Sequence, residues 1–425
     1  MRIIVQKFGG TSVATPQQRE LLADRVVEAV GKGYRTVVVV SAMGRAGDPY
    51  ATDTLIRLLS GTGGQATPPR ELDLLMSCGE TIAAVVVAAV LKGRGLDPIA
   101  LTGGQAGIIT DANFSDARIL RVEPERMLRH LKEGRVVVVA GFQGVTDGGD
   151  ITTLGRGGSD ITAAAVGAAL KAEAVEIYTD VDGVKTADPR IVSEARTLKV
   201  LSYQEVSQMA YEGARVIHPR AVEIAMRRDI PIRILSPASS GPGTLVTHST
   251  DLAAAPWPDV KEGRLITGVT HIPNVAQISV TQRPGSSEPD ASLRVFETLA
   301  EAGISVDLIS VSPGTQVFTV AQDQAEKAAA IIEDLGYEVS VLPDCAKVTI
   351  VGARMRGVPG VMAKVSRALT KARIPILQTA DSHLTISCLV RQTDMEEAIR
   401  ALHREFGLDG TDGASPDKPD KEVDS

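Results

Sequence analysis

At 425 residues, 44% hydrophobic, 23% charged and 3% aromatic, with a formal net charge of −7, the chain has the composition of a globular protein of about two to four domains with an aliphatic core. The segment from Asp409 to Ser425 holds six acids against two lysines, so the rest is nearly neutral; with so few aromatics, this excludes nucleic-acid binding as the main task. Three widely separated cysteines, Cys78, Cys345 and Cys388, exclude a disulfide frame or a zinc site and read as reduced thiols of a cytoplasmic protein; no secretory signal is found at the start, and the longest apolar run, Ile82 to Leu91, is too short to cross a bilayer.

The first element is the strand Ile3–Lys7, read from the apolar run Ile3-Ile4-Val5. It leads into Lys7-Phe8-Gly9-Gly10-Thr11-Ser12. Adjacent glycines let the backbone approach a ligand and turn its N–H groups inward, and the lysine adds a full positive charge, which suits a bound phosphate; the same residues would also make a tight turn with a solvated lysine. A helix follows, with Thr15 as cap, Pro16 in its first turn and Gln18 completing a capping box. Leu21, Leu22, Val26, Val27 and Val30 form its apolar face, and Gly31 and Gly33 end it. Further strands are predicted at Thr36–Val40, Pro98–Leu101, Arg135–Ala140, Val175–Tyr178 and Pro231–Leu235. Most are continuous apolar runs separated by helical patterns, which predicts a mostly parallel α/β sheet between helices. No P-loop, GxGxxG, HExxH or GxSxG motif accompanies them.

In such sheets ligands sit beyond the carboxyl ends of the strands. The segments there are Gly9–Ser12, Ser41–Gly44, Thr102–Gln105, Gly141–Gly144 and Thr179–Gly183, nearly all rich in Gly, Ser or Thr, and the recurrence points to a large polar ligand. Leu75-Met76-Ser77-Cys78-Gly79-Glu80-Thr81 places Glu80 at the expected start of an apolar helix, where its carboxylate either complements the helix dipole or holds an ammonium. Thr152 to Asp160 reads TTLGRGGSD ahead of an Ala-rich helix through Leu170. Ser159 is its expected cap, and the flat fork of Arg156 suits a carboxylate. Tyr178 to Arg190, YTDVDGVKTADPR, reads as an extended loop able to wrap a nucleotide. The six histidines form no cluster, and His218 before Pro219 is read as structural.

From Ser236 to Glu262 the sequence turns irregular, as a linker does. Val295–Val306 then matches Val365–Ile376 at an offset of 70, and each copy reads strand, helix, strand, strand, helix: a duplicated small α+β domain. Arg356-Gly357-Val358-Pro359-Gly360-Val361 forms a turn ahead of the second copy's helix, where the matching Arg283-Pro284-Gly285-Ser286-Ser287 is less regular. Met355 and Met362 beside it are read as packing.

The strings KFGGTSV, VVSAMG, SCGETI, LTGGQAG, VAGFQG, TTLGRGGSD, TDVDGVKTADPR and EGARVIHPRAVEIA resemble aspartate kinase, of the amino-acid kinase superfamily, from residue 2 to about residue 408. SAMGRAGDPYATD and IPILQTADSH are most similar to the aspartokinase I type of Gram-positive bacteria. The resemblance implies an amino-acid kinase fold over residues 1–245, a linker at 246–263 and two ferredoxin-like ACT domains. The first ACT domain takes 274–342 and the second 264–273 with 343–408, the strand Leu265–Thr270 going with the second; 409–425 is an acidic tail whose composition predicts disorder.

The resemblance also implies an activity: phosphorylation of the β-carboxylate of L-aspartate by MgATP to aspartyl 4-phosphate, toward lysine, diaminopimelate, methionine and threonine. By resemblance, Lys7, Phe8, Gly9 and Gly10 hold the phosphates, and Asp160 orients Lys7, making these two the catalytic pair. Ser41, Glu80, Arg156, Gly157, Gly158 and Ser159 hold aspartate, with Glu80 toward its amine and Arg156 on a carboxylate. Tyr178, Thr179, Asp182, Lys185, Asp188 and Arg215 line the nucleotide side, and Mg²⁺ is held mainly by the phosphates. An amino-acid effector (diaminopimelate first, otherwise lysine or threonine) is expected at Arg356–Val361, and a homo-oligomer through the ACT domains. Lys185 and Arg215 depart from the Tyr and Lys common in the family, and Gly47 lacks a Thr side chain that some relatives use. The chemistry agrees: a carboxylate acceptor is already ionised at neutral pH and needs no general base, so what the protein must supply is positive charge, amide donors and alignment. The rival readings are an amino-acid kinase acting on glutamate, N-acetylglutamate or carbamate, which generally lacks the ACT pair and the GRGGSD block, and a non-catalytic amino-acid sensor, against which Lys7, Glu80 and Arg156 speak.

Overall fold

The valine-rich runs pair side by side. In the computed structural model, which describes residues 1–44, 47–59, 67–214, 216–248, 265–282, 291–353, 355 and 357–410, they build an eight-stranded sheet. Its spatial order is Val200–Ser202, Thr244–Thr247, Ile232–Leu235, Ala174–Tyr178, Ile3–Phe8, Arg35–Val40, Val136–Ala140 and Pro98–Leu101. From Ile232–Leu235 onward all neighbours are parallel, and Thr244–Thr247 turns back antiparallel. The six strands expected from apolar runs are all present, each within one residue at its ends.

A second, four-stranded sheet was not legible: Ile119–Val122, Ile108–Thr110, Gln143–Thr146 and Ile151–Thr153. Its strands are too short to show a period, although Asp147-Gly148-Gly149-Asp150 is a hairpin-turn signal.

The first long helix runs Pro16–Gly31, with Thr15 Oγ1 accepting the Gln18 N–H at 3.2 Å. Two other helices correct the sequence reading. Pro69–Gly93 starts well upstream of Ser77, so Glu80 is its twelfth residue and gains nothing from a helix N-terminus. The hydroxyls of Ser77 and Thr81 donate backward to the carbonyls of Leu74 (2.8 Å) and Ser77 (2.9 Å), which lets them sit inside a helix. At 25 residues this helix is long and apolar enough by composition to cross a bilayer, which the run Ile82 to Leu91 is not. One of its faces, bearing Ala83, Ala84, Val87 and Leu91, is buried against Val38, Val40, Val136 and Val138 of the sheet. In the helix Gly158–Leu170 the cap is Gly157, left-handed at φ 71°, and Ser159 lies buried inside the first turn. Glycine is required there, because a Cβ would lie 2.3 Å from the His218 ring.

The chain forms two compact units: Met1–Val184, Thr197–Tyr211 and Arg215–Glu262 in the first; Lys185–Arg196, Glu212–Ala214 and Gly263–Ser425 in the second. Two short segments of the first 245 residues thus pack within the second unit. The second unit holds one six-stranded sheet, ordered Asp307–Ser312, Thr315–Ala321, Gly268–Thr281, Glu338–Val351, Thr385–Arg391, Gln378–Asp381. The offset of 70 is kept in three dimensions: helix Ala291–Glu301 answers Val361–Lys371, and buried Val295, Leu299, Val320 and Ile332 answer buried Val365, Leu369, Val390 and Leu402. The stretch Gly268–Ile272 pairs with Val351–Lys347, in the second copy. Met355 is packed in that copy's core, whereas Met362 is 37% exposed, against expectation. Arg215, Arg356, the Arg283–Ser287 turn and most of the linker and tail lie outside the described residues.

One buried side chain ties the helix Pro69–Gly93 to the small sheet of the first unit. Asp73, with no exposed surface, accepts from the Thr153 N–H (2.7 Å), the Thr153 hydroxyl (2.8 Å), the Ser115 N–H (2.9 Å) and the Ser115 hydroxyl (3.3 Å). Removing the acceptor strands the two Thr153 donors away from water, so Asp73→Ala is expected to cost roughly 3 kcal/mol, or about 6–12 °C in the melting temperature of the first unit by scanning calorimetry. An unchanged melting temperature would show that these bonds contribute nothing.

Candidate active site

The register of the parallel strands builds the site. Phe8 stands opposite Val40 and Tyr178, and Val40 opposite Ala140, so the next residues of four adjacent strands share one edge. The hydrogen-bond ladder continues one step beyond the strands: Gly9 N–H to Tyr178 O (3.4 Å), Ser41 N–H to Phe8 O (3.1 Å), Gly141 N–H to Val40 O (2.9 Å) and Thr179 N–H to Leu235 O (2.9 Å). Glycine is needed along this edge. A Cβ on Gly10 would sit 3.0 Å from the Ala42 carbonyl, and one on Gly141 would sit 2.8 Å from Ser159 Oγ. The loop Lys7–Ser12, expected to stay open until Thr15, closes a one-turn helix at Gly10–Val13.

Lys7 Nζ lies 2.6 Å from Asp160 Oδ1, both side chains about nine-tenths buried at 12% and 11% exposure. Asp160 Oδ2 accepts the His218 main-chain N–H at 3.3 Å. The carboxylate therefore fixes the lysine beside Gly9, whose Cβ position is 3.5 Å from Nζ. His218, read as structural, holds Asp160 through its backbone, and burial holds its imidazole pKa below the usual value despite Asp160 nearby.

Glu80 projects from its helix toward the same edge, where Oε1 accepts the Ala42 N–H at 3.0 Å. Its other oxygen, Oε2, is buried with no hydrogen-bond partner among the described residues. Burial raises its pKa to about 7, against the pull of the Ala42 amide. A carboxylate left half-satisfied in this way can accept from an ammonium. Arg156 is exposed and makes no hydrogen bond or ion pair among the described residues, next to left-handed Gly155 and Gly157. Gly157 and Gly158 are packed against His218 and Phe142, which pins the loop.

Residues 2–236 match the amino acid kinase family and residues 340–404 the ACT domain. The chain is 51% identical over 410 residues to aspartokinase 1 of Bacillus subtilis, covering 96% of this chain and 100% of that one. The chain belongs to the aspartokinase family. Among solved structures, Escherichia coli aspartokinase III in complex with aspartate and ADP (R-state) matches with a TM-score of 0.77 at 27% identity, over 95% of this chain and 99% of that one. The complex of the same enzyme with lysine and aspartate (T-state) matches at 0.74, also at 27% identity and the same coverage.

For an aspartokinase, the remaining expected residues fall into three groups. Phe8 and Tyr178 do not present their rings to the edge: the rings stack on each other in the core, 4.6 Å apart and within 4° of parallel. Apolar contact and the bond from the Tyr178 hydroxyl to Glu176 (3.0 Å) hold them there, so a nucleotide would meet only their main chain. Thr179 donates to Asp180 (3.0 Å), and Asp182 accepts from Thr197 (3.2 Å). Lys185 and Asp188 belong to the second unit, and Asp188 is engaged by Arg190, whose guanidinium beside it lowers its pKa. In that unit the turn before helix Val361–Lys371 holds Gly357 at φ 74° and Gly360 at φ 88°, both with open space where a Cβ would be, and Val358 43% exposed. Sequence reasoning missed Asp73; an acid set between Leu72 and Leu74 was the signal.

The Glu80 carboxyl gives a pH prediction. Its folded pKa stands above the ordinary 4.5, so its contribution to stability is full below about 4.5 and lost as pH rises through about 7. Ammonium binding needs the ionised form, so affinity for an amino-acid substrate should fall as pH drops through about 7, approaching tenfold per unit. Glu80→Gln should weaken that affinity and flatten its pH dependence; an unaltered pH profile of KM in the variant would remove Glu80 from the site.

Proposed function

We propose that the chain transfers the γ-phosphoryl group of MgATP to the β-carboxylate of L-aspartate, giving aspartyl 4-phosphate at the head of lysine, diaminopimelate, methionine and threonine synthesis. The observation that carries this reading is the buried, half-satisfied carboxylate of Glu80, on the same sheet edge as the ion-paired Lys7. Glu80 Oε2 takes the α-ammonium, Arg156 pairs with a carboxylate through its planar fork, and Ser41, Gly157, Gly158 and Ser159 frame the substrate. Lys7, steadied by Asp160, and the amides of Gly9 and Gly10 take the charge of the transferring phosphoryl group. The β-carboxylate attacks phosphorus as the bond to the bridging oxygen breaks, and ADP leaves with that electron pair. The acceptor is already an anion, so no base is required. Mg²⁺ is assigned to the nucleotide phosphates, which hold it as it arrives.

Thr179, Asp182, Lys185, Asp188 and Arg215 are assigned to the nucleotide side. The open-faced turn Gly357–Val361 with Arg356 is assigned to an amino-acid effector: diaminopimelate, lysine or threonine. The ACT domains are assigned to homo-oligomer contact, and the protein to the cytoplasm.

ADP release should require L-aspartate, with glutamate and N-acetylglutamate inert. Lys7→Ala should lower kcat by at least about a hundredfold with an intact far-UV spectrum. Appreciable turnover in that variant, or ADP release with another acceptor, would refute the reading. Diaminopimelate, lysine and threonine are to be titrated in turn, and one of them should lower the rate. If none does, the effector assignment fails while the catalytic one stands.

A further inference from the structure

The turn that carries Arg156 is loose by composition, yet it is gripped from two sides. Arg156 stands between Gly155 at φ 69° and Gly157 at φ 71°, both left-handed. Glycines on either side leave an isolated segment many conformations, each aiming the guanidinium differently. Gly157 lies against the His218 ring. Gly155 lies against Asp116: a Cβ there would sit 2.8 Å from Asp116 Oδ1 and 3.3 Å from the Ser115 carbonyl. Both grips trace back to the start of helix Pro219–Arg227, whose N-cap is His218.

On the Gly155 side the grip is made by Arg220, in the first turn of that helix. Its Nη1 donates to Asp116 Oδ1 at 3.0 Å and to the Leu154 carbonyl at 3.4 Å, and its Nη2 donates to the Ala117 carbonyl at 3.4 Å. One planar side chain thus bridges the residue before Gly155 and the loop that covers Gly155. Asp116 is set in place from both neighbours. Ser115 before it is left-handed at φ 72° and donates its N–H to buried Asp73 at 2.9 Å. Ala117 after it donates its N–H to the Thr153 carbonyl at 2.9 Å. Asp73 shares its helix with Glu80, so the same loop registers the Arg156 turn against the carboxylate assigned to the substrate's ammonium. The Asp116 side chain is 69% exposed and that of Arg220 32%, and an exposed pair of this kind adds little to stability. What its directional bonds do is fix where Arg156 points.

We propose that Arg220 is a positioning residue for substrate capture: through Asp116 and the Leu154 carbonyl it holds the Gly155-Arg156-Gly157 turn in the shape that presents the Arg156 guanidinium to a carboxylate. This rests on the assignment of Arg156 to a carboxylate of L-aspartate. Arg220 itself touches neither substrate nor nucleotide. It sets the fraction of molecules whose turn is ready, and apparent affinity falls in proportion to that fraction.

The test is steady-state kinetics on the full chain, with KM for aspartate and KM for ATP measured separately. Arg220→Ala should raise KM for aspartate roughly tenfold while KM for ATP moves by less than about twofold, the split expected when only the Arg156 turn loosens. Equal rises in both constants, or a rise in neither, overturn the proposal. Arg220→Lys keeps a charge for Asp116 but loses the fork, so it should recover only part of the loss. Should the alanine variant fold poorly, the lysine variant is read by the same split. Asp116→Ala should reproduce the effect of Arg220→Ala, and the double variant should be no worse than either, because both act on one path. Additive losses reject that path, as does a double variant that regains the original KM because Asp116 had become a competitor for Arg156. Arg156→Ala separates the two assignments. If it raises KM for aspartate, adding Arg220→Ala should change KM no further. If it leaves KM for aspartate unaltered, the assignment of Arg156 fails and takes the proposal with it, whereas a rise with Arg156→Ala and none with Arg220→Ala defeats the proposal alone.

Discussion

The kinase unit depends on one ion pair. Lys7 sits near the end of a central strand, and Asp160 lies in the first turn of the helix that packs beneath it; their 2.6 Å contact holds a cation at the lip of the glycine edge. A long lysine side chain left to itself samples many rotamers, each of which would place its charge differently. The carboxylate removes that freedom before any ligand arrives, and the His218 amide removes the carboxylate's own freedom. For two anions that must come within bonding distance, a charge already in position costs no reorganisation when they meet.

Two buried acids on one helix show how a structural carboxylate differs from one kept for a ligand. Asp73 and Glu80 stand seven residues apart, on the same face. Asp73 is saturated by donors from Ser115 and Thr153, and its work is to tie the small sheet to the helix. Among the described residues Glu80 has one donor, from Ala42, and one oxygen without a partner, and burial drives its pKa to about 7. The number of donors that converge on each carboxylate, not the residue type or the helix, separates the two roles.

The second unit keeps hold of pieces of chain that sequence order assigns to the first. Within the segment Lys185–Arg196, the Thr186 carbonyl accepts the Val269 N–H at 2.8 Å, the Thr186 hydroxyl pairs with His403 Nε2 at 2.9 Å, and Ala187 and Val192 enter the core of the second repeat. In the segment Glu212–Ala214, Glu212 meets Lys347 at 2.8 Å in a buried pair to which Asp307 also contributes. The loop that begins with Thr179 is therefore anchored, over its later part, in the unit that carries the repeat.

Periodicity and composition alone determined a good deal of this protein. The parallel strands follow from runs such as Val37–Val40, the Pro16 helix from its Thr15 cap, and the doubled α+β domain from a repeat at an offset of 70. All of these are local signals, or a comparison of the chain with itself. The motif strings likewise identified the family, since they are short, ordered and specific. Only the tertiary structure decided where helix Pro69–Gly93 begins, that Glu80 lies in its middle, that Phe8 and Tyr178 stack away from the edge, and that Asp73 joins that helix to the small sheet. Each of these depends on partners 30 to 170 residues away, as with Ala42 to Glu80 (38 apart), Ser115 to Asp73 (42) and Phe8 to Tyr178. Burial and hydrogen-bond saturation are properties of that assembled neighbourhood, and no window of sequence contains them.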